Sequence, residues 1–106
     1  MEEYDVRLTN HSQTVLGRVN ELRKLDCLSD VLLFCEDTLL PAHRVILASC
    51  SGYWESVFRK LPGPAASSRH PIVLMPADTS ATVLEFLLEF IYTGQVSVAF
   101  AFSFLV

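Results

Sequence analysis

The chain has 106 residues, 51% of them hydrophobic, with eight Lys and Arg against twelve Asp and Glu for a formal net charge of -4. That length holds one domain with one modest core and excludes a second, while the scattered basic residues exclude a surface built to grip a phosphate backbone. A mean hydropathy of +0.37 is high for a small chain, so either the core is dense or apolar surface is buried against another chain.

Met1-Glu2-Glu3 opens the chain with acid and no apolar run follows, so no secretory signal is expected. The most apolar stretch, Val96 to Val106, is interrupted by Ser97 and Ser103 and is too short to span a bilayer. A soluble intracellular chain without membrane contact is the expectation. Its three cysteines lack framework spacing and suit a reducing compartment, as reduced thiols in the core.

Tyr4, Val6 and Leu8 alternate with Asp5, Arg7 and Thr9, the period of a short half-buried strand that needs a partner edge. Asn10 stands as the cap of a first helix, with Gln13 in an approximate capping-box spacing. Val15, Leu16, Val19, Leu22 and Leu25 form one apolar stripe of that helix, with Arg18, Glu21, Arg23 and Lys24 elsewhere on it. Gly17 costs about 1 kcal/mol relative to Ala there, so it is either tolerated surface or a point of close approach by another backbone.

The stretch from Asp30 to Tyr53 is the one the rest braces. Val31 to Phe34 is a continuous apolar run, as in a strand covered on both faces. Glu36-Asp37 supplies a tight turn and Thr38 to Leu40 a returning strand, which Pro41, having no N–H to give a ladder, ends. From His43 the period becomes helical: Val45, Ile46 and Ala48 share a face, and Ser51-Gly52 breaks it. Ser51 caps a second helix, on which Tyr53, Trp54, Val57, Phe58 and Leu61 keep helical spacing.

Pro62 to Ser68 has the composition of a loop. Ile72 to Met75 reads as another buried strand, closed by Pro76. Asp78, Thr79 and Ser80 offer caps for the longest helix, Ala81 to Tyr92, which Gly94 stops. Its main stripe is Val83, Phe86, Leu87, Phe90 and Ile91, widened by Leu84 and Leu88. Glu85, Glu89 and the ends alone read as solvated, so this helix is expected to be covered on most sides. The order strand, helix, two strands, two helices, strand, helix, strand is an α+β arrangement, a small sheet with clustered helices.

Asp30-Val31 and the run Pro41-Ala42-His43-Arg44-Val45-Ile46-Leu47-Ala48-Ser49-Cys50-Ser51-Gly52-Tyr53 resemble the signature of the BTB/POZ domain, a self-associating protein-interaction module. The resemblance continues through His70-Pro71-Ile72-Val73-Leu74 and from Leu87 to Val98, so residues 1–98 read as the domain. Tyr4 to His11 is similar to the N-terminal strand of the tramtrack-like group of arthropod transcription regulators, with Leu8 where that group has Trp and Thr9 where it has Asn. The resemblance implies that this strand and the first helix make a two-fold dimer contact through Tyr4, Val6, Leu8, Val15, Gly17, Val19 and Leu22, the strand pairing with a sheet edge of the partner. It offers Gly17 a reason, close helix-to-helix approach across the axis. It also implies that Asp30 and Arg44 line a charged pocket at that interface. From the residues alone, they are either a pair too costly to bury apart or an ordinary surface pair worth under about 1 kcal/mol.

Residues 99–106 depart from the family pattern. Where the family has a polar link and further helices, Phe100, Phe102 and Phe104 stand in an uncharged tail. The domain is therefore expected to be incomplete at its C-terminal end.

Ser49 or Ser51 with His43 and Asp30 name a nucleophile, a base and an orienter, but no G-x-S-x-G elbow or oxyanion-hole glycines accompany them, and no enzyme is expected. Cys27, Cys35, His43 and Cys50 include soft ligands without C-x-x-C or H-x-x-x-H spacing, so neither a metal nor a cofactor is expected. The resemblance implies homodimerisation or higher assembly of a transcription regulator in the nucleus and recruitment of co-regulators. The partners would be a second copy, other BTB domains and those co-regulators. With no zinc finger or helix-turn-helix in the chain, no direct nucleic-acid contact is expected from this segment. The alternative is a cytoplasmic substrate adaptor of a cullin-type ubiquitin ligase. Such adaptors share an apolar-x-acidic motif after the second helix of the pair, where Phe58-Arg59-Lys60-Leu61-Pro62-Gly63 carries bases.

Overall fold

The computed structural model describes residues 2–61 and 70–95. The expected loop at 62–68, the strand end at 96–98 and the tail at 99–106 lie outside the described residues. Helix α1 spans His11–Lys24, strands β1 and β2 Val31–Cys35 and Thr38–Ala42, helices α2 and α3 Arg44–Cys50 and Gly52–Arg59, strand β3 Ile72–Leu74 and helix α4 Ala81–Thr93. The fold is the α+β arrangement expected, with one three-stranded sheet in the order β2-β1-β3.

The continuous apolar run of β1 places it in the middle, antiparallel to β2 and parallel to β3. Val31, Leu33 and Cys35 point inward and pack with Leu47, Trp54, Phe58, Leu84, Leu88 and Tyr92. Leu32 and Phe34 point the other way and are only half-buried, with Ile72 and Leu74 beside them in register. This corrects the expectation of strands covered on both faces: the helices that supply the core stand on the inner face, and β3 is an edge strand whose Ile72 and Leu74 are 53% and 73% exposed.

Glu36 and Asp37 both take positive φ, 49° and 59°, as a two-residue hairpin turn requires. Pro41 does not end β2, which runs on to Ala42. Pro41 faces Leu32, whose N–H is already given to Pro71 O on the β3 side at 3.0 Å, so this edge position needs no donor.

The helix ends follow the sequence in three places. Ser51 Oγ accepts from the Trp54 N–H and Ser80 Oγ from the Val83 N–H, each at 3.4 Å, and Gly94 closes α4 in the left-handed region with φ 74°. Asn10 differs: its own φ is 62° and its side chain makes no cap, while its backbone carbonyl accepts from the Thr14 N–H. At the far end of α1, Asp26 takes the left-handed position usually filled by glycine. The Cys27 N–H reaches Leu22 O at 2.8 Å and the Asp26 N–H reaches Arg23 O at 3.0 Å, closing a Schellman turn.

Three expected faces are rotated. On α4 the buried residues are Leu84, Leu88 and Tyr92, while Val83, Leu87 and Phe90 are about half exposed. On α2, Leu47 is buried and Val45 is out. On α1 the buried residues are Asn20 and Arg23, with Val15 and Leu25 exposed. The N-terminal residues expected as a half-buried strand take no strand pairing, and Tyr4, Val6 and Leu8 are 78%, 90% and 74% exposed. Of the cysteines only Cys35 is in the core; Cys27 and Cys50 are exposed, and all three are free thiols. Among the described residues, no helix is long and apolar enough to cross a membrane.

Candidate interaction surfaces

Arg23 lies off the apolar stripe read for α1, yet it is only 2% exposed. A buried guanidinium needs countercharge and acceptors on every side it presents. Its Nε donates to Asn20 Oδ1 at 2.9 Å, and its terminal nitrogens reach Glu85 Oε1 at 2.8 Å and Glu89 Oε2 at 3.2 Å. Its carbon lies 5.1 Å from the centre of the Tyr92 ring, within cation–π range. Lys24 Nζ adds a contact to Glu89 Oε2 at 3.1 Å. Glu85 and Glu89, expected to be solvated, are therefore the rim of α4 on which α1 sits. Burial pushes the Glu89 carboxyl up, but the bonds from Asn20 and Lys24 and the charges of Lys24 and Arg23 outweigh it and hold it below the usual carboxylate range. The signal in the sequence was the spacing, Glu85 and Glu89 one turn apart on one helix and Asn20 and Arg23 one turn apart on the other.

Tyr92 joins this cluster to His43. Its hydroxyl accepts from the His43 backbone N–H at 2.8 Å and lies 2.8 Å from His43 Nδ1, and His43 Nε2 lies 3.2 Å from the Cys27 carbonyl. For a neutral imidazole the contacts are satisfied when Tyr92 donates to Nδ1 and Nε2–H donates to the Cys27 carbonyl. Burial pushes the Tyr92 hydroxyl up to about 12 despite the opposing His43 N–H and Arg23. His43 is thus occupied in holding α4, the start of α2 and the α1–β1 connection together. Ser49 donates to Val45 O and Ser51 caps α3, so neither serine is bonded to His43. Cys35 Sγ bonds Thr79 O, and among the described residues no group of three or more His, Cys, Asp or Glu is placed to hold a metal ion.

Asp30 and Arg44 are in contact, as their places at the starts of β1 and α2 suggest. The Arg44 backbone N–H donates to Asp30 Oδ1 at 2.7 Å, Arg44 Nε to Asp30 O at 3.1 Å, and Nε lies 3.5 Å from Oδ2. Asp30 therefore supplies the cap of α2 that His43, with no side-chain cap bond, does not. Beyond Arg44 a groove of about 480 Å³ runs between α2 and α3, lined by Val45, Ala48 and Phe58 with Glu55 and Arg59 at its side.

The remaining sequence-derived surface is the N-terminal segment with α1. Tyr4, Val6, Leu8 and Val15 are exposed, Leu16, Gly17, Val19 and Leu22 half-buried, and nothing lies within 4 Å of where a Cβ on Gly17 would stand. The chain itself does not use the room that Gly17 leaves. Taken together, these features describe a small module that presents apolar surfaces and paired charges.

A family model of the BTB/POZ domain matches residues 19–102. The chain belongs to the BTB/POZ family. It is 31% identical over 97 residues to the protein jim lovell and 33% identical to the sex determination protein fruitless, both of Drosophila melanogaster, each match covering 92% of this chain. It is also 36% identical over 92 residues, 87% of this chain, to the human B-cell CLL/lymphoma 6 member B protein. The chain spans only 9%, 10% and 18% of those three relatives. Among solved structures, the BTB domain of zebrafish PATZ1 superposes with a TM-score of 0.75 at 31% identity, covering 91% of this chain and 74% of that one.

Proposed function

We propose that this chain is the self-association and co-regulator-docking unit of a nuclear transcription regulator, acting as a two-fold dimer. The observation that carries the reading is the unpartnered apolar surface of Tyr4, Val6 and Leu8 together with α1, and the room left over Gly17. A second copy placed about a two-fold axis there brings two glycine-bearing helices close and gives the extended N-terminal segment an edge to pair with. The similarity to Drosophila relatives and the resemblance of Tyr4 to His11 to the tramtrack-like group support the regulatory role. The Asp30–Arg44 pair would then line a charged pocket beside the interface. The groove between α2 and α3, with an apolar floor and Arg44 and Arg59 at its rim, suits a short co-regulator segment.

Light scattering after size exclusion tests the dimer. At micromolar concentration the chain is expected at twice its 11.9 kDa mass, and Leu8→Asp with Val19→Asp is expected to return it to one copy; a monomer for the unsubstituted chain overturns the reading. For the charged pair, a double-mutant cycle of Asp30→Asn and Arg44→Gln is expected to give about 0.5–1 kcal/mol of coupling. Additive effects count against the pair.

A further inference from the structure

We propose that the outer stripe of α4 is the docking surface for the chain's own residues 96–106. Val83, Leu87 and Phe90 recur at the spacing of one helix side, so they lie one above another along α4. At about 100° per residue, that side is turned away from Leu84, Leu88 and Tyr92, which enter the core, and from Glu85 and Glu89, which hold α1. The three side chains are 45%, 46% and 51% exposed, and none is among the half-buried residues packed on the core. The inference goes beyond self-association and leaves it intact, because the surface around α1 lies on a different side of the helix.

Three observations name the occupant. Gly94 continues the row of Val83, Leu87 and Phe90 one turn further on, and with φ 74° it ends the helix there, so the chain leaves α4 from the stripe's own side. In the sequence that follows, every even position from Val96 to Val106 is Val or Phe, every odd position from Ser97 to Ser103 is Ser or Ala, and no residue is charged. An extended run of that pattern sets its large side chains along one side, and neither it nor the stripe has a charge to strip of water on contact. The reach also fits. Val83 lies about 18 Å back along the axis from Gln95 at ~1.5 Å per residue, which about six extended residues span at ~3.3 Å each. Val98, Phe100 and Phe102 would then cover Phe90, Leu87 and Val83 in that order, with the small residues toward water. A segment joined to α4 at the end of the stripe has an effective concentration of about millimolar there, which a second copy at micromolar concentration does not match.

Paramagnetic relaxation in the full chain tests this. With the exposed Cys27 and Cys50 changed to Ser, Ser103→Cys carries a nitroxide on the small side of the run, off the proposed contact. Signals of Thr82 and Val83 are expected to be lost, and those of Gly94, nearer in sequence to the label, to persist more strongly. A loss as large at Gly94 as at Val83, or one centred on β3, overturns the proposal. Mixing isotope-labelled chain without nitroxide and nitroxide-bearing chain without isotope is expected to give no loss at Val83; a loss there means that the segment docks on a second copy, which also overturns it. Leu87→Gln alters only the exposed stripe and is expected to abolish the difference between Val83 and Gly94 while leaving the signals of Leu84 and Leu88 in place. If the difference survives Leu87→Gln, the stripe is not what holds the segment; if that variant unfolds, the pattern in the labelled chain with Leu87 intact decides.

Discussion

Helices α1 and α4 meet along one side, and they are built from opposite kinds of sequence. α4 is apolar on nearly every side and gives Leu84, Leu88 and Tyr92 to the core, whereas α1 carries a single apolar stripe and buries Asn20 and Arg23 instead. The difference teaches that the group which cannot be left unpaired sets the rotation of a helix. Turning α1 to bury Val15 and Leu22 would leave their side of α4, lined by Glu85 and Glu89, facing aliphatics. Turning α4 to bury Val83 and Phe90 would take those carboxylates away from Arg23. Hydrophobicity decides that a helix packs, and the charges decide which way it faces.

The contrast can be broken most strongly at the core. Leu88→Ala is expected to cost about 3 kcal/mol in urea unfolding, while Val15→Ala on the exposed stripe costs under about 0.5 kcal/mol in the monomer. Comparable losses at the two sites would mean that α1 is held by its apolar stripe after all.

A smaller effect is expected where the two helices share a residue. Tyr92→Phe keeps the ring under Arg23 but leaves the buried His43 N–H without its acceptor, so about 2 kcal/mol should be lost. Circular dichroism melts of the two chains check this, and an unchanged melting temperature would mean that another acceptor replaces the hydroxyl.

The smallest expected effect is the dependence on acid. Because the Glu89 carboxyl is held below its ordinary range in the fold, the unfolded chain binds more protons as pH falls. The stability Glu89 contributes is present above the ordinary carboxylate value and is lost as pH drops through the lowered one. Between pH 6 and pH 3 the melting temperature is expected to fall, and to fall less in Glu89→Gln. Equal falls in the two would remove Glu89 from the account.

Local chemistry was legible in the sequence where the backbone itself signals. The turn at Glu36-Asp37, the caps at Ser51 and Ser80 and the stop at Gly94 all stand where residue type and spacing put them. Position within the assembled layers was not legible. Ile72 and Leu74 have the composition of a central strand yet lie on an edge, since a run of aliphatics does not say how many faces are covered. On α4 the periodicity could not choose a face because nearly all faces are apolar. Arg23 lies off the apolar stripe of α1, where a charge is usually solvated, so nothing in α1 itself marked it as buried. Of the candidate site, the Asp30–Arg44 contact was readable from two element starts, while the Tyr92–His43 link joins residues 49 apart in the sequence and no local pattern announces it.

The carboxylate at the hairpin tip has one more tie. Glu36 Oε1 accepts from the Ala81 N–H at 2.5 Å, across 45 residues of chain, so the first turn of α4 takes its acceptor from the β1–β2 turn. A two-residue hairpin closes early and locally, whereas a bond across that separation waits until the intervening chain has come together. A contact made after the folding barrier changes how fast a protein comes apart far more than how fast it forms, so Glu36→Ala is expected to speed unfolding and leave the folding rate unchanged in stopped-flow measurements, and a slowed folding rate would place the contact before the barrier.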